Sequence, residues 1–276
     1  MTSLVVRAAL SSLASASALR SDASGPLTVW GRTSSSNTQK CLWCLAELKL
    51  PHTLVLASAR LGPTSELLGE GEPYGIVGTP EYAELCPHQM VPTLRDGEAV
   101  IWESNTIVRY LAGKYGPQLY GGSQEGLAAA SGWMDWALHG SNFAPSFGSA
   151  NHHLVDEVAR TAPGARDESV VAAAHAEYLA CLARAEAHLE RSGRPFVASD
   201  DFSIGDIPLA VELNRWSLCV HRARADGVDL ACPALPRLDD YYRRMLERPA
   251  YEEQVFAHER AHQALADSDA LRRLPS

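Results

Sequence analysis

At 276 residues the chain has room for one large domain or two ordinary ones, and 46% hydrophobic with 21% charged residues is the balance of a folded globular protein. A formal net charge of −9 excludes broad electrostatic attraction to nucleic acid or to an anionic membrane surface. The six cysteines, at 41, 44, 86, 181, 219 and 232, make no secreted disulfide framework, which fits a reducing compartment, and no apolar run is long enough to span a bilayer.

In chain order, residues 1–25 are rich in Ser and Ala, carry Arg7 and Arg20, and have no acidic residue before Asp22. That composition fits an organellar transit peptide or an unstructured tail. The expected location is the cytoplasm, with mitochondrion or plastid as alternatives. Residues 27–30 read as a short strand, followed by the polar loop Gly31-Arg-Thr-Ser-Ser-Ser36. Asn37 is a plausible N-cap, and Leu42, Leu45, Ala46 and Leu48 give helical spacing up to about Leu50, where Pro51 stops it. Residues 53–57 read as a second strand. Gly and Pro make residues 61–73 a loop, and Thr79-Pro80-Glu81-Tyr82 starts a short helix with Pro in its first turn. Val91-Pro92 enters the apolar pair Thr93-Leu94. Asp96-Gly97 signals a hairpin, and residues 99–102 form the return strand. Glu103-Ser104-Asn105 then opens an amphipathic helix with Ile107, Val108 and Leu111 on one face.

Chemistry concentrates at two places in this half. Thr33, Ser34, Ser35 and Ser36 lie between a strand and a helix N-terminus, where free N–H groups and the helix dipole favour an anion. A thiol near pKa 8.5 is only about 3% thiolate at pH 7, and a hydroxyl donor at a helix end can lower that pKa by roughly a unit or two. Ser is also common simply as a helix cap. The second place is Val91-Pro92 with Glu103 and Ser104, a proline-led strand edge beside polar groups at a helix start, suited to a small extended peptide. Cys41-Leu-Trp-Cys44 invites a redox reading, but Cys41 lies about a turn inside the helix, away from the end where a dipole would lower a thiol pKa. The pair reads as two small hydrophobes.

Val-Pro-Thr-Leu, a turn, then Trp-Glu-Ser-Asn-Thr-Ile-Val-Arg-Tyr-Leu closely resembles the glutathione-binding core of the glutathione S-transferase family, specifically its serine-type bacterial members. The resemblance extends more weakly from about residue 27 to about residue 255. It implies an α/β thioredoxin-like domain, βαβαββα, followed by an all-α helical domain. The expected parts are residues 1–25 as a targeting or disordered segment, 26–116 as the glutathione-binding domain, 117–122 as linker, 123–266 as the helical substrate domain and 267–276 as a tail. It further implies that a loop serine keeps glutathione's sulfur ionised. Ser35 is preferred because Arg-x-x-Ser-x-Asn resembles the bacterial pattern, with Ser34 second and Ser36 third. Gln89, Val91, Pro92, Glu103 and Ser104 would bind glutathione. The bond before Pro92 would be cis, and Glu103 and Ser104 would take the γ-glutamyl end. Glutathione is a co-substrate, so no cofactor and no metal are implied, and a homodimer is expected. The insertion 61–73 and Cys86-Pro-His-Gln89 depart from the family pattern.

The remaining residues read as helices over 127–139, 168–191, from Ser203 onward, and over 235–248. Ser203 and Asp206 make a capping box, which resembles the capping motif of the family's helical domain. Trp136, Asn142, Phe143, Arg215 and Trp216, with Trp133 and Phe147 beside them, are candidates to line a pocket for a second, apolar substrate, although aromatics at helical spacing also belong in cores. His258-Glu-Arg-Ala-His262 matches His-Glu-x-x-His, but its polar tail setting and missing third ligand argue against a zinc protease. The function expected is a glutathione transferase acting on a small, apolar electrophile. The alternatives are a binding or regulatory protein of the same fold, or a glutathione-dependent thiol-disulfide reductase using Cys41.

Overall fold

A computed structural model describes residues 27–58, 75–138 and 147–275. The segment 1–25, the insertion 61–73, and Asn142 and Phe143 lie outside them.

Leu27-Thr-Val-Trp-Gly31 forms β1, buried along its whole length as the centre of a four-stranded sheet. Strand β2 (His52–Leu56) runs parallel to it, and β3 (Thr93–Asp96) runs antiparallel on its other side. Strand β4 (Ala99–Trp102) pairs with β3, giving the order β2-β1-β3-β4. The parallel step needs a crossover, and α1 (Ser36–Glu47) supplies it. A 3-10 turn, Gly75–Gly78, and α2 (Pro80–Leu85) lead into β3. Gly97 turns the hairpin at φ 58°, a conformation costly for other residues. Helix α3 (Ser104–Tyr115) completes the βαβαββα order expected from sequence. Asp96 ties the hairpin to α3, accepting from Tyr110 Oη at 2.8 Å, Lys114 Nζ at 2.6 Å and Tyr115 Oη at 2.7 Å.

Helices α1 and α3 share one core, in which Leu45, Ile107, Val108 and Leu111 are fully buried. Cys41 and Cys44 sit in it, their thiols directed at the carbonyls of Ser104 (3.7 Å) and Val108 (4.0 Å). Burial pushes both thiols up, so neither is a nucleophile, and the pair behaves as packing.

The second half is helical among the described residues. It comprises α4 (Gln124–Leu138), α5 (Phe147–Val155) continued by a π-helical turn Asp156–Arg160, and α6 (Glu168–Ser192). Then come α7 (Asp206–Ala225), α8 (Pro236–Leu246), α9 (Pro249–Tyr251), a second π-helical turn Glu252–Phe256, and α10 (Ala257–His262). Helix α7 is buried on nearly every face and is the spine of this half. It starts at Asp206 rather than Ser203. The Asp206 carboxylate reaches back to accept from Ser203 N (2.8 Å), Ser203 Oγ (3.1 Å) and Val197 N (3.0 Å). Helix α5 and both π-helical turns were not legible in the sequence pattern.

The halves meet through α1. The Trp43 ring lies 5.3 Å from Phe202 and 4.8 Å from Tyr251. Glu47 receives two hydrogen bonds from Arg248, at 2.8 and 2.7 Å.

Candidate active site

The serine loop leaves β1 at Gly31, where a Cβ would stand 2.6 Å from the Thr38 side chain, so only glycine lets α1 begin so close to the strand. The cap of α1 is Ser35, not Asn37. Ser35 has extended backbone angles (φ −92°, ψ 120°), and its Oγ accepts from Thr38 N at a long 3.4 Å. Asn37 instead lies in the first turn, with Oδ1 accepting from Lys40 Nζ at 3.0 Å and from Ser104 Oγ at 3.3 Å. The three candidate serines separate by environment. Ser34 is buried and accepts from Arg32 Nη1 at 2.6 Å. Ser36 is buried and accepts from Asn151 Nδ2 at 3.3 Å. Ser35 is half-buried and lines the cleft.

Across from the loop, the Val91-Pro92 bond is cis. The Tyr82 hydroxyl supports this edge, lying 2.9 Å from both Met90 O and Thr93 Oγ1. Glu103 holds φ at 69°, a left-handed conformation that costs a non-glycine residue about 1 kcal/mol. Its carboxylate does not cap α3 and meets His88 Nδ1 at 3.1 Å in the open. Ser104 is 2% exposed, and its hydroxyl crosses to Asn37 rather than to its own helix. Gln89, a candidate ligand contact, has φ 50° and spends its side-chain amide on Val77 O at 3.1 Å, so His88 faces the site in its place.

These residues frame two joined hollows. The smaller, about 80 Å³, is lined by Asn37, Cys86, His88, Met90, Val91, Pro92, Glu103 and Ser104. The larger, about 260 Å³, contains Ser35 and Ser36 and reaches the helical half at Ala137, Asn151, Val155, Arg160, Glu212 and Arg215. Asn37, Met90 and Val91 belong to both. An extended ligand can therefore run from Glu103, past Val91, to Ser35.

Beneath this cleft lies a polar network that the sequence reading missed. Lys40 is 2% exposed, with Nζ 3.8 Å from the Glu212 carboxylate. Burial is the larger influence on this ammonium and lowers its pKa, against the pull of Glu212. Glu212 also accepts from Asn151 Nδ2 (2.8 Å) and the Tyr178 hydroxyl (3.1 Å). Arg215 donates through Nη2 to the Ser34 carbonyl at 2.9 Å, and through Nε and Nη2 to Glu259 at 3.0 and 2.5 Å. Gln39 Nε2 joins the Thr33 carbonyl (2.8 Å) to the same Glu259 carboxylate (3.5 Å). The glutamate of His258-Glu-Arg-Ala-His262 is thus the fully buried anchor that fastens the serine loop to the C-terminal helix. The sequence reading placed this motif in a polar tail, whereas Glu259 is fully buried.

Of the residues expected to line a second-substrate pocket, only Arg215 does so among those described. Trp216 is fully buried, donating from Nε1 to His175 Nδ1 at 3.2 Å, because α7 is buried on nearly every face. Trp136 lines a separate apolar groove between α4 and α6 with Trp133. Phe147 is buried in the core.

Residues 34–114 match the family model for the glutathione S-transferase N-terminal domain. Among curated proteins, glutathione S-transferase GstB of Escherichia coli strain K12 is 32% identical over 83% of this chain and 97% of its own length. Glutathione S-transferase 3 of Zea mays is 27% identical over 84% of this chain and 94% of its own. Among solved structures, the theta class glutathione S-transferase of Xanthomonas axonopodis pv. citri with glutathione bound superposes with a TM-score of 0.68, at 35% identity, over 84% of this chain and 98% of that one.

Proposed function

This chain belongs to the glutathione S-transferase family, and from that premise we propose how its cleft carries out the reaction. It is a glutathione transferase, passing the glutathione sulfur to an electrophile. The γ-glutamyl end lies in the smaller hollow, its ammonium toward Glu103 and its carboxylate toward the start of α3 at Ser104. The cysteinyl backbone runs along Val91 in strand fashion. The sulfur then comes to Ser35, whose hydroxyl donates to the thiolate while the α1 N-terminus favours its charge. The thiolate attacks the electrophile held in the larger hollow, and proximity supplies much of the acceleration. Glutathione recognition falls to residues 26–116 and second-substrate contact to 123–266.

The observation that carries this reading is the continuity of the two hollows through Asn37, Met90 and Val91. Ser35 is favoured over its neighbours because Ser34 and Ser36 are buried while Ser35 is half-buried on the hollow. Immobilised glutathione should retain the protein. Ser35→Ala should lower kcat/KM about a hundredfold and raise the bound thiol's pKa by roughly one to two units. Failure of the wild type to bind glutathione would refute the assignment.

We also propose a homodimer through the groove of Trp133, Trp136 and Ala187 between α4 and α6, a volume of about 720 Å³. Light scattering on the eluted protein should give twice the chain mass, and a monomer at micromolar concentration would reject it.

A further inference from the structure

We propose that the second substrate of this transferase is a small electrophile carrying a carboxylate, not an apolar one. The proposal rests on the reading of the larger hollow given above and names what enters it. Among the described residues, four cationic side chains line that hollow, Arg32, Lys40, Arg160 and Arg215, with one carboxylate, Glu212. The acids that answer Arg215 and Arg160 stand elsewhere. Glu259 is fully buried and Asp156 lies along the π-helical turn, and neither lines the hollow. For Arg160 and Arg215 the cation is thus in front and its counter-charge behind, so these two turn positive charge toward the hollow, while Lys40 is balanced within it by Glu212. The N-terminus of the twelve-residue α1 opens on the same space at Ser35, Ser36 and Asn37 and adds to that potential. His152, beside the Asp156 carboxylate at 3.3 Å, also faces it.

The apolar lining is thin: Met90, Val91, Ala137, Leu138 and Val155, with no aromatic ring among the described residues. An apolar guest would strip water from the part-exposed Arg160 guanidinium and return nothing. A carboxylate would replace that water with charge-assisted hydrogen bonds, and arginine can give two in parallel. At about 260 Å³ the hollow suits one ring or a short chain, not an extended apolar surface.

Glutathione brings carboxylates of its own, so the cations could serve it instead. A matched pair of substrates tells the two apart: a chloronitrobenzoate and the corresponding chloronitrobenzamide. In both, the sulfur bonds to the ring carbon, the carbon–chlorine bond breaks, chloride leaves with the bonding pair, and the thiol proton goes to solvent. Each kcat/KM is divided by the uncatalysed rate with free glutathione. The anion should be favoured at least about tenfold. Arg160→Gln should reduce that preference about tenfold, and Arg160→Lys should restore part of it. A preference for the amide, an equal loss for both substrates, or a rise confined to the KM of glutathione would each overturn the proposal while leaving the transferase intact. Loss of glutathione retention together with turnover of both substrates would instead overturn the reading on which it rests.

Discussion

The two walls of the cleft are built differently. The wall from His88 to Ser104 is made by backbone: a cis bond, Gln89 at φ 50° and Glu103 at φ 69°, with partners such as His88 and Glu103 only fifteen residues apart. The wall facing it is made by buried side chains from distant parts of the chain. Arg215 reaches Ser34 across 181 residues, and Gln39 reaches Glu259 across 220. The first wall has a fixed main-chain shape, which on the function proposed above receives the peptide at little electrostatic cost. The second places charge behind the reacting loop, where a low dielectric magnifies it.

The sharpest way to break this contrast is Glu259→Gln. It leaves the Arg215 guanidinium buried with the Ser34 carbonyl and no carboxylate, and removing one partner of a buried pair costs about 3 to 5 kcal/mol. Urea titration should show that loss, and activity should fall with it as the serine loop loosens. A change below about 1 kcal/mol would mean that the far wall is not a latch. The pH dependence carries the same sign. Burial alone would raise the Glu259 carboxyl, but Arg215 beside it holds it below the usual range. Its contribution is present above the ordinary glutamate pKa and disappears only as pH falls through the folded value.

The same division explains what could be read from sequence. The βαβαββα order, the hairpin, the strand after Val91-Pro92 and the helix start at Glu103-Ser104 were legible because each depends on neighbours within a turn or a strand. Ser35 could be singled out only by resemblance. What separates it from Ser34 and Ser36 is burial against Arg32 and Asn151, and Asn151 lies 115 residues from its partner. Taking Asn37 as the cap erred by two residues, because Asn is a good cap in isolation and its engagement with Lys40 and Ser104 is not a local property. Trp216 lies in the core and not in the hollow for a related reason. Helical spacing places Trp216 on a face but does not reveal that α7 is buried on nearly every face.

A second test concerns what holds the spine of the buried wall. Asp206 pins the start of α7, the helix that carries Glu212 and Arg215. Burial pushes its carboxyl up to about 6, against hydrogen bonds from Val197 and Ser203 that favour the ion. A folded pKa above the unfolded one means the folded state binds more protons, so this group costs stability as pH rises from about 4 to about 6. At about 1.4 kcal/mol per pKa unit, Asp206→Asn should gain roughly 2 to 3 kcal/mol relative to wild type between pH 4 and pH 7. Denaturation curves at the two pH values provide the measurement. A constant difference would show that the carboxyl stays ionised throughout, held by its donors.

The near wall should yield smaller numbers. Ser104→Ala removes the hydroxyl that crosses to Asn37 and should raise the KM of glutathione about tenfold, or about 1.4 kcal/mol, with kcat less affected. His88→Ala should do least. The imidazole is largely exposed and its contact with Glu103 is a surface pair, a type worth about 0 to 1 kcal/mol. Glu103 is aimed by its own left-handed backbone, not by the histidine. The variant should therefore shift stability by less than about 0.5 kcal/mol and the KM of glutathione by less than about threefold. Thermal melts and initial rates at varied glutathione suffice to check both. A tenfold loss in KM would show that Glu103 is aimed by its histidine partner and not by its own backbone.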